Sequence, residues 1–503
     1  MLRIRKASQL VPSSISQFYD NANILLTGGT GFVGKVFVEK LLRSCKSVDT
    51  IYVLIRPKKN FTAQDRLKQL LGAAAFENLR RTAPATLLKV KAIAGDVEQE
   101  QLGLSEIDRE LIKERIDMVF HSAALIKFNA DLQSAILANV LGTKRIIELC
   151  GEIKNLRTFV HVSTSYSNAD RNDIEEKTYK TKHDPNGIIQ LAQTLPSATL
   201  NEITPQIIEN HPNCYTFSKK LAEKYVMESF SSLPATAIVR PSIVCPSWRE
   251  PMPGWVDNLT GVTGVVMEFG RGALKSGICE SRFIADLVPV DVTANTLIAA
   301  AWYTTTQCPR ELNIYNCTSG DVNQITWGRF VDYLRKHAIT YPTKYIMSYP
   351  KFTARTNRTT HALAHFFQHL VPAYMQDIIL YLTNRKPIMV KTCKIAAEAA
   401  RSGDFATITQ YKFKADNFKK LIDTVNKADD GKTFQIDFRN GNGFEWDQYL
   451  KNYLLGIRKF ILKDELESLD YSRVRLNRLY WRRRTLQIIT LSSLITWSIL
   501  TLN

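Results

Sequence analysis

Apolar and polar positions fall into alternating blocks along the first two thirds of the chain. Ile24, Leu25 and Leu26 form a short apolar run that Gly28 cuts off, and "KVFVEKLLRSC" then puts Val36, Val38, Leu41 and Leu42 roughly on one helical face. The pattern predicts a strand, a tight turn and a helix. "TIYVLI", Thr50 to Ile55, is a second apolar strand at the distance a β-α-β unit requires. Strand-like runs recur in "LLKVKAIAGDV" (87–97), "DMVFHSAA" (117–124), "RTFVHVSTS" (157–165) and "ATAIVRPSIV" (235–244), with a helix from Asp131 to Cys150 between them. This alternation predicts an α/β fold, a doubly wound parallel sheet. The Pro- and Gly-rich "CPSWREPMPGW" reads as a loop over the site. After Tyr341 the alternation fades, "YPTKYIMSYPKF" reads as a linker, and the rest to about residue 467 is mainly helical, interrupted by "KTFQIDFRNGNGFEW".

The pattern changes again near the end. "TLQIITLSSLITWSILTLN", residues 485–503, carries no charged side chain. As a helix it is about 28 Å long, close to a bilayer's hydrocarbon core. Its Ser, Thr and Gln residues leave two other readings: a helix packed on the protein, or one lying in the interface. The expected reading is a membrane anchor with Arg482, Arg483 and Arg484 on its cytosolic side. The expected organisation is a flexible leader (1–19), a nucleotide-binding reductase domain with interleaved substrate-binding elements (20–345), a helical C-terminal domain (346–467), and a basic segment with the anchor (468–503).

Composition narrows the function classes. A chain of 503 residues, 45% hydrophobic and 23% charged, is globular and large enough for two or three domains. Its formal net charge of +18 suits polyanionic substrates, an anionic membrane surface or nucleic acid. No finger, homeodomain or aromatic RNA-binding signature accompanies that charge, so a nucleic-acid partner is not expected. The eight cysteines are dispersed without a CxxC pair, which fits reduced thiols in the cytosol. The basic start "MLRIRKASQLVPSSISQFYD" has no apolar core of signal-peptide length, which argues against secretion.

The candidate chemistry begins at Gly28-x-x-Gly31-x-x-Gly34. Glycines so spaced let the chain turn, admit a pyrophosphate to bare backbone, and pack helix closely on strand. At the end of the second strand, where a carboxylate would select NAD, the chain reads Arg56, Pro57, Lys58, Lys59. That charge suits a 2′-phosphate and predicts NADPH. Tyr215 and Lys219 are four apart in a helical segment and share a face. An ammonium near a phenol lowers its pKa, so Tyr215 becomes a candidate proton donor to a carbonyl oxygen, and Lys219 could also hold the nicotinamide ribose. A third group should polarise the same oxygen from a strand end, where Ser163, Thr164 and Ser165 all stand; strand alternation does not choose among them.

His361, His365 and His369 recur every fourth residue, but no nearby Asp or Glu completes a ligand set, so they read as a polar helix face and no metal is expected. Pro372 should break or kink that helix. Leu370 to Leu382 read as a surface for acyl chain or membrane, and the six arginines between Arg473 and Arg484 as a contact for anionic headgroups.

"TGGTGFVGK", "HSAA", "NVLGT", "HVSTSYSN", "YTFSK" and "RPSIV", in this order, resemble an extended short-chain dehydrogenase/reductase. "REPMPGWVDNLTGVTG" and "FQIDFRNGNGFEWDQYLKNYLLGIRKFILKDE" narrow the resemblance to the fatty acyl-CoA reductases, the family with the male sterility domain, over residues from about 20 to 484. The resemblance implies Thr164, Tyr215 and Lys219 as the catalytic group. It implies Gly28, Gly31 and Gly34 on the pyrophosphate, with Thr27, Thr30, Phe32 and Val33 of the same loop on the cofactor, and Arg56 on the 2′-phosphate. Asp96 and Val97 would lie near adenine. Ala123, Ala124, Asn139, Pro241 and Ile243 would also line the cofactor, with Tyr215 and Lys219. Ser165 departs from the family's usual Ala and puts a second hydroxyl beside Thr164. The implied reaction is NADPH-dependent reduction of long-chain fatty acyl-CoA through an aldehyde to a primary alcohol, at a cytosol-facing membrane, the endoplasmic reticulum first and peroxisomes second. Rival readings are an enzyme that stops at aldehyde, a membrane-bound steroid dehydrogenase of the same superfamily, and an NADPH-sensing scaffold. Chain-length preference and oligomeric state are not legible.

Overall fold

The computed structural model describes residues 14–58 and 60–502; most of the expected leader, Lys59 and Asn503 lie outside the described residues. The chain forms two compact units, each discontinuous in sequence. The first runs up to Met252 and adds Asp286–Asn323 and Tyr411–Gly443; the second is Pro253–Ala285, Gln324–Gln410 and the chain from Phe444 onward. The packing therefore does not divide at the expected positions 345 and 467. Periodicity marks where strand and helix stop alternating, but not which later segment returns to pack on an earlier one.

The first unit is built on seven parallel strands: β1 (Asn23–Thr27), β2 (Thr50–Ile55), β3 (Val90–Ala94), β4 (Met118–His121), β5 (Thr158–Val162), β6 (Ala235–Pro241) and β7 (Asn313–Cys317). Their spatial order is β7-β6-β5-β4-β1-β2-β3, so the direction of winding reverses between β4 and β1. A doubly wound sheet offers its ligand crevice at that reversal. Every residue of β2 is buried, as in a strand covered on both faces. One face packs Leu25, Tyr52, Val119, Phe159, Ile238 and Ile314 against Ile146 and Leu149 of α3 (Gly142–Glu152).

Helix α1 (Phe32–Ser44) buries more than the predicted stripe, including Glu39 and Lys40. Lys40 Nζ donates to Glu250 Oε2 at 2.7 Å, and Arg43 pairs with Glu39 and Glu250 at 2.8 and 2.9 Å, so the buried charges are matched. The predicted helix from Asp131 to Cys150 forms in three continuous pieces: Leu132–Ile136, a π turn over Leu137–Leu141, and α3. The remaining helices that matter here are α2 (Ala63–Gly72), α4 (Cys214–Glu228) and α5 (Val290–Gln307).

The described end of the expected leader is structured. Ile15–Phe18 is a short helix with Ile15 and Phe18 buried, and Asp430 accepts from Ser14 Oγ (2.7 Å) and from the Ile15 and Ser16 amides (both 2.8 Å). The basic, polar composition of the leader as a whole concealed these two apolar side chains.

The second unit is mainly helical: α6 (Trp327–Thr340), α7 (Arg358–His365), α8 (Val371–Leu382), α9 (Met389–Ser402), α10 (Trp446–Gly456) and α11 (Leu469–Leu502). The segment read as a linker is irregular but tied down: Ile346 is fully buried, Thr343 Oγ1 donates to Asp464 (2.6 Å), and the Met347 amide donates to the Arg271 carbonyl (2.7 Å). Pro372 neither breaks nor ends a helix, because the π turn Phe366–Leu370 precedes it and puts it in the first turn of α8. The tail residues continue α11, and among the described residues no helix is long and apolar enough to cross a membrane. The expected spanning helix is thus not met as a span; Ser, Thr and Gln dilute its apolar residues.

Candidate active site

The glycine loop lies at the carboxyl end of β1, at the reversal of winding. Gly28 has φ +73°, and a Cβ there would stand 2.6 Å from the Ser122 carbonyl carbon and 2.7 Å from the Ala123 amide. A Cβ on Gly34 would meet the Gly28 carbonyl oxygen at 2.5 Å. These glycines permit close passage of the β1 loop, the β4 loop and the first turn of α1. Gly31 is the N-cap of α1 and no side chain caps the helix, which leaves its N-terminus facing the loop for an anion. Thr27 fixes the arrangement: its Oγ1 accepts from the Ser122 and Ala123 amides at 3.1 and 3.0 Å and bonds His121 Nδ1 at 2.8 Å. The cradle fits a dinucleotide pyrophosphate, with Phe32 and Val33 in the same first turn and Ala124 beyond Ala123.

At the end of β2, Arg56 is half exposed and pairs with Glu98 (3.2 Å) and Asp96 (3.6 Å). Such exposed pairs are weak and exchange easily for a phosphate. Arg66 on α2 was not singled out by sequence pattern. Its guanidinium reaches Thr30 Oγ1 (3.3 Å) and donates to the Arg56 carbonyl, and burial, then the Arg56 charge, lowers its pKa. Its place on the helix after the basic turn was the available signal. Val97 stands beside Gly142 of α3, and its carbonyl accepts from Arg145 (3.1 Å).

The Thr164, Tyr215 and Lys219 side chains come from β5's end and the first two turns of α4. Asn213 caps α4 by accepting from the Thr216 amide at 2.9 Å, which starts the helix just before Tyr215. The Thr164 hydroxyl faces the Tyr215 phenol closely enough to lower its pKa; its Oγ1 lies 3.3 Å from the Tyr166 amide and donates to the Pro241 carbonyl at 3.4 Å. Ser165 Oγ is buried with no hydrogen-bond partner among the described residues, so the structure separates Thr164 from Ser165, two of the three hydroxyls that strand alternation left equivalent.

Burial pushes the Tyr215 phenol up to about 12, against the smaller lowering by Thr164. This corrects the expectation that Lys219 depresses it. The Lys219 ammonium faces the other way, donating to the Val162 carbonyl at 2.7 Å with His161 Nε2 at 3.5 Å. Burial lowers Lys219 to about 8, partly offset by Glu223. His161 is itself held neutral by burial and by Lys219. Glu223, one turn beyond Lys219, forms a buried two-point pair with Arg240 on β6 (2.9 and 2.6 Å), which ties α4 to the sheet. Sequence reading missed Glu223 and His161; their only signals were the i+4 spacing from Lys219 and the alternation of β5.

Asn139 lies in the π turn, almost fully buried. Its Oδ1 accepts from the Leu125 amide (2.7 Å), and its Nδ2 donates to the Leu125 carbonyl (3.1 Å) and to Ser218 Oγ (2.9 Å). These bonds hold the β4 loop against α4 at the place where Asn139 is expected beside the cofactor. Ile243 opens a short strand, Ile243–Cys245, that pairs with Leu287–Pro289. In the second unit, His361 Nδ1 bonds Ser276 Oγ (2.9 Å) and His369 Nε2 accepts from the Lys275 amide (3.0 Å), so this histidine face fastens α7 and the π turn to a neighbouring strand.

Comparison with known proteins agrees with this architecture. Residues 26–297 match the NAD-binding family model described as male sterility protein, and residues 368–464 match the Sterile model of the same description. The chain is similar to fatty acyl-CoA reductase 1 of Rattus norvegicus, 39% identical over 93% of this chain and 90% of the relative. It is similar to fatty acyl-CoA reductase 2 of Mus musculus, 34% identical over the same shares. Among solved structures, the terminal R domain of the myxalamid pathway superposes with TM-score 0.57 at 18% identity, covering 88% of this chain and 92% of that one. The reductase domain of a non-ribosomal peptide synthetase from Mycobacterium tuberculosis gives 0.56 at 18%, covering 87% and 92%. These two likenesses show the reductase fold.

Proposed function

The chain belongs to the fatty acyl-CoA reductases, and from that premise we propose that it reduces long-chain fatty acyl-CoA to the primary alcohol with NADPH, releasing CoA. The observation that carries the reading is the meeting of the Thr164 and Tyr215 hydroxyls at a strand end of the sheet that also carries the glycine cradle. When bound, the dihydronicotinamide supplies hydride to the carbonyl carbon. The glycine loop and the N-terminus of α1 hold the pyrophosphate, and Arg56 and Arg66 hold the 2′-phosphate. Thr164 and Tyr215 donate hydrogen bonds to the carbonyl oxygen as it gains charge. Expulsion of CoA thiolate leaves an aldehyde. In the second reduction Tyr215, protonated throughout the neutral range, gives its proton to the alkoxide. Lys219, charged below about pH 8, acts as a cation that binds ribose, and the proton Tyr215 gives up is replaced from solvent. Per acyl-CoA the balance is two NADPH and two protons consumed, one CoA and one alcohol formed.

The tail of α11 supports a contact with the cytosolic face of a membrane, for which the endoplasmic reticulum is proposed first and peroxisomes second. Trp481, Ile488, Ile489, Ile495 and Trp497 are exposed on it, next to Arg482, Arg483 and Arg484. The dilution of its apolar residues by Ser, Thr and Gln favours shallow insertion over crossing.

The test is to incubate detergent-solubilised protein with a long-chain acyl-CoA and NADPH, and to measure NADPH oxidised against CoA released. Two per CoA, with alcohol extracted, is the expected result. One per CoA means that the enzyme stops at aldehyde, and no oxidation across chain lengths overturns the reading.

A further inference from the structure

Helix α8 carries an apolar stripe that nothing in its own unit covers. Tyr374, Met375, Ile378, Ile379 and Leu382 are each at least half exposed and fall at successive turns of one face; Phe367 of the π turn extends the row. The one acid of α8, Asp377, is turned away from this row, accepting from the Met389 and Val390 amides at 2.8 and 2.9 Å and so holding the start of α9. Immediately after α8 the chain reads "RKPIMVKTCK": Arg385, Lys386, Lys391 and Lys394 are exposed, with no carboxylate among them.

We propose that this face of α8 docks on the surface of a bilayer containing anionic lipid, as a second membrane contact separate from the tail. An apolar row edged by cations is the arrangement that inserts side chains at the acyl boundary while headgroups meet the charge. Lys275 Nζ donates to the Gln368 carbonyl (3.4 Å) in the π turn that precedes α8, and the charge of Arg483 on α11 acts on the same Lys275, which puts the basic stretch of α11 near the start of this element. A second copy of the chain is disfavoured as the occupant, because two identical basic edges would oppose each other. The inference goes beyond the proposed reaction and does not depend on it.

The experiment uses the full chain, without substrate or NADPH, in flotation with vesicles of phosphatidylcholine alone and of phosphatidylcholine with phosphatidylserine. A tail variant, Ile488→Lys with Ile495→Lys, should still float with the phosphatidylserine vesicles, and more salt should weaken it. Adding Ile378→Glu with Leu382→Glu to that variant should lower the bound fraction about tenfold or more. Ile378→Ser with Leu382→Ser should act in the same direction, and unchanged thermal unfolding of both forms excludes misfolding as the cause. The proposal is overturned if the tail variant binds no vesicle, if it binds both vesicle types equally, or if the α8 substitutions leave its binding unchanged. It is also overturned if those substitutions convert a dimer to a monomer in gel filtration without altering flotation, which would assign the face to a second copy.

Discussion

Lys219 and Tyr215 sit one turn apart on one helix, yet their environments push them in opposite ways. Burial keeps the phenol protonated and brings the ammonium down to about 8, so that near neutrality the pair offers one proton donor and one cation. The sign follows for activity: Lys219 is charged below about pH 8 and neutral above it. In a pH profile, kcat/KM should fall above about pH 8 with loss of a single proton, and Lys219→Arg, which keeps its charge, should move that limb upward. A profile in which both forms lose activity at the same pH would detach the limb from Lys219. Tyr215→Phe removes the proton donor without altering the shape of the buried ring. Reduction should drop by about 10²-fold or more while NADPH affinity, read by fluorescence titration, stays within a few-fold. Sequence placed Tyr215 and Lys219 on one face, but only packing could show that Lys219 points at the Val162 carbonyl and that burial governs the phenol.

At the level of the element, the β2-turn-α2 unit supplies two guanidiniums to one spot. Arg56 was legible because it stands where a carboxylate would select NAD. Arg66 was not, because its position depends on how α2 returns toward Thr30. A charge-assisted contact to phosphate contributes about 1.5–3 kcal/mol, so Arg56→Ala and Arg66→Ala should each weaken NADPH binding by about ten- to a hundredfold. NADH, without the 2′-phosphate, should be almost unaffected by either, and parallel titrations with the two cofactors measure the difference. Equal weakening of both would place the arginines elsewhere than at the 2′-phosphate. Strong periodicity made the β strands and α1 readable. The π turns at Leu137–Leu141 and Phe366–Leu370 were not, since one added residue per turn leaves the surrounding hydrophobic pattern helical.

The molecule as a whole is organised by segments that return to earlier ones, and this is what a pass along the sequence could not see. In the first unit, Tyr411–Gly443 brings Phe434, Ile436 and Phe438 to full burial and pairs Lys412–Phe413 with Asp173–Ile174. The same segment delivers Asp430 to the short helix Ile15–Phe18. Burial alone would raise the pKa of this carboxyl, but hydrogen bonds from Ser16, Ser14 and the Ile15 amide outweigh it and hold the group below its ordinary value. A carboxyl depressed in the folded state stabilises above its unfolded pKa, and that contribution is lost as pH falls through the folded one. Asp430→Asn should therefore cost about 1–3 kcal/mol at neutral pH, since it removes the charge from three hydrogen bonds. The difference from wild type, measured by denaturant unfolding, should be constant from neutral pH down to the ordinary carboxylate range and then shrink with further acidification. A difference that stays the same through that range would mean that the carboxylate's charge is not what joins the returning segment to the start of the first unit.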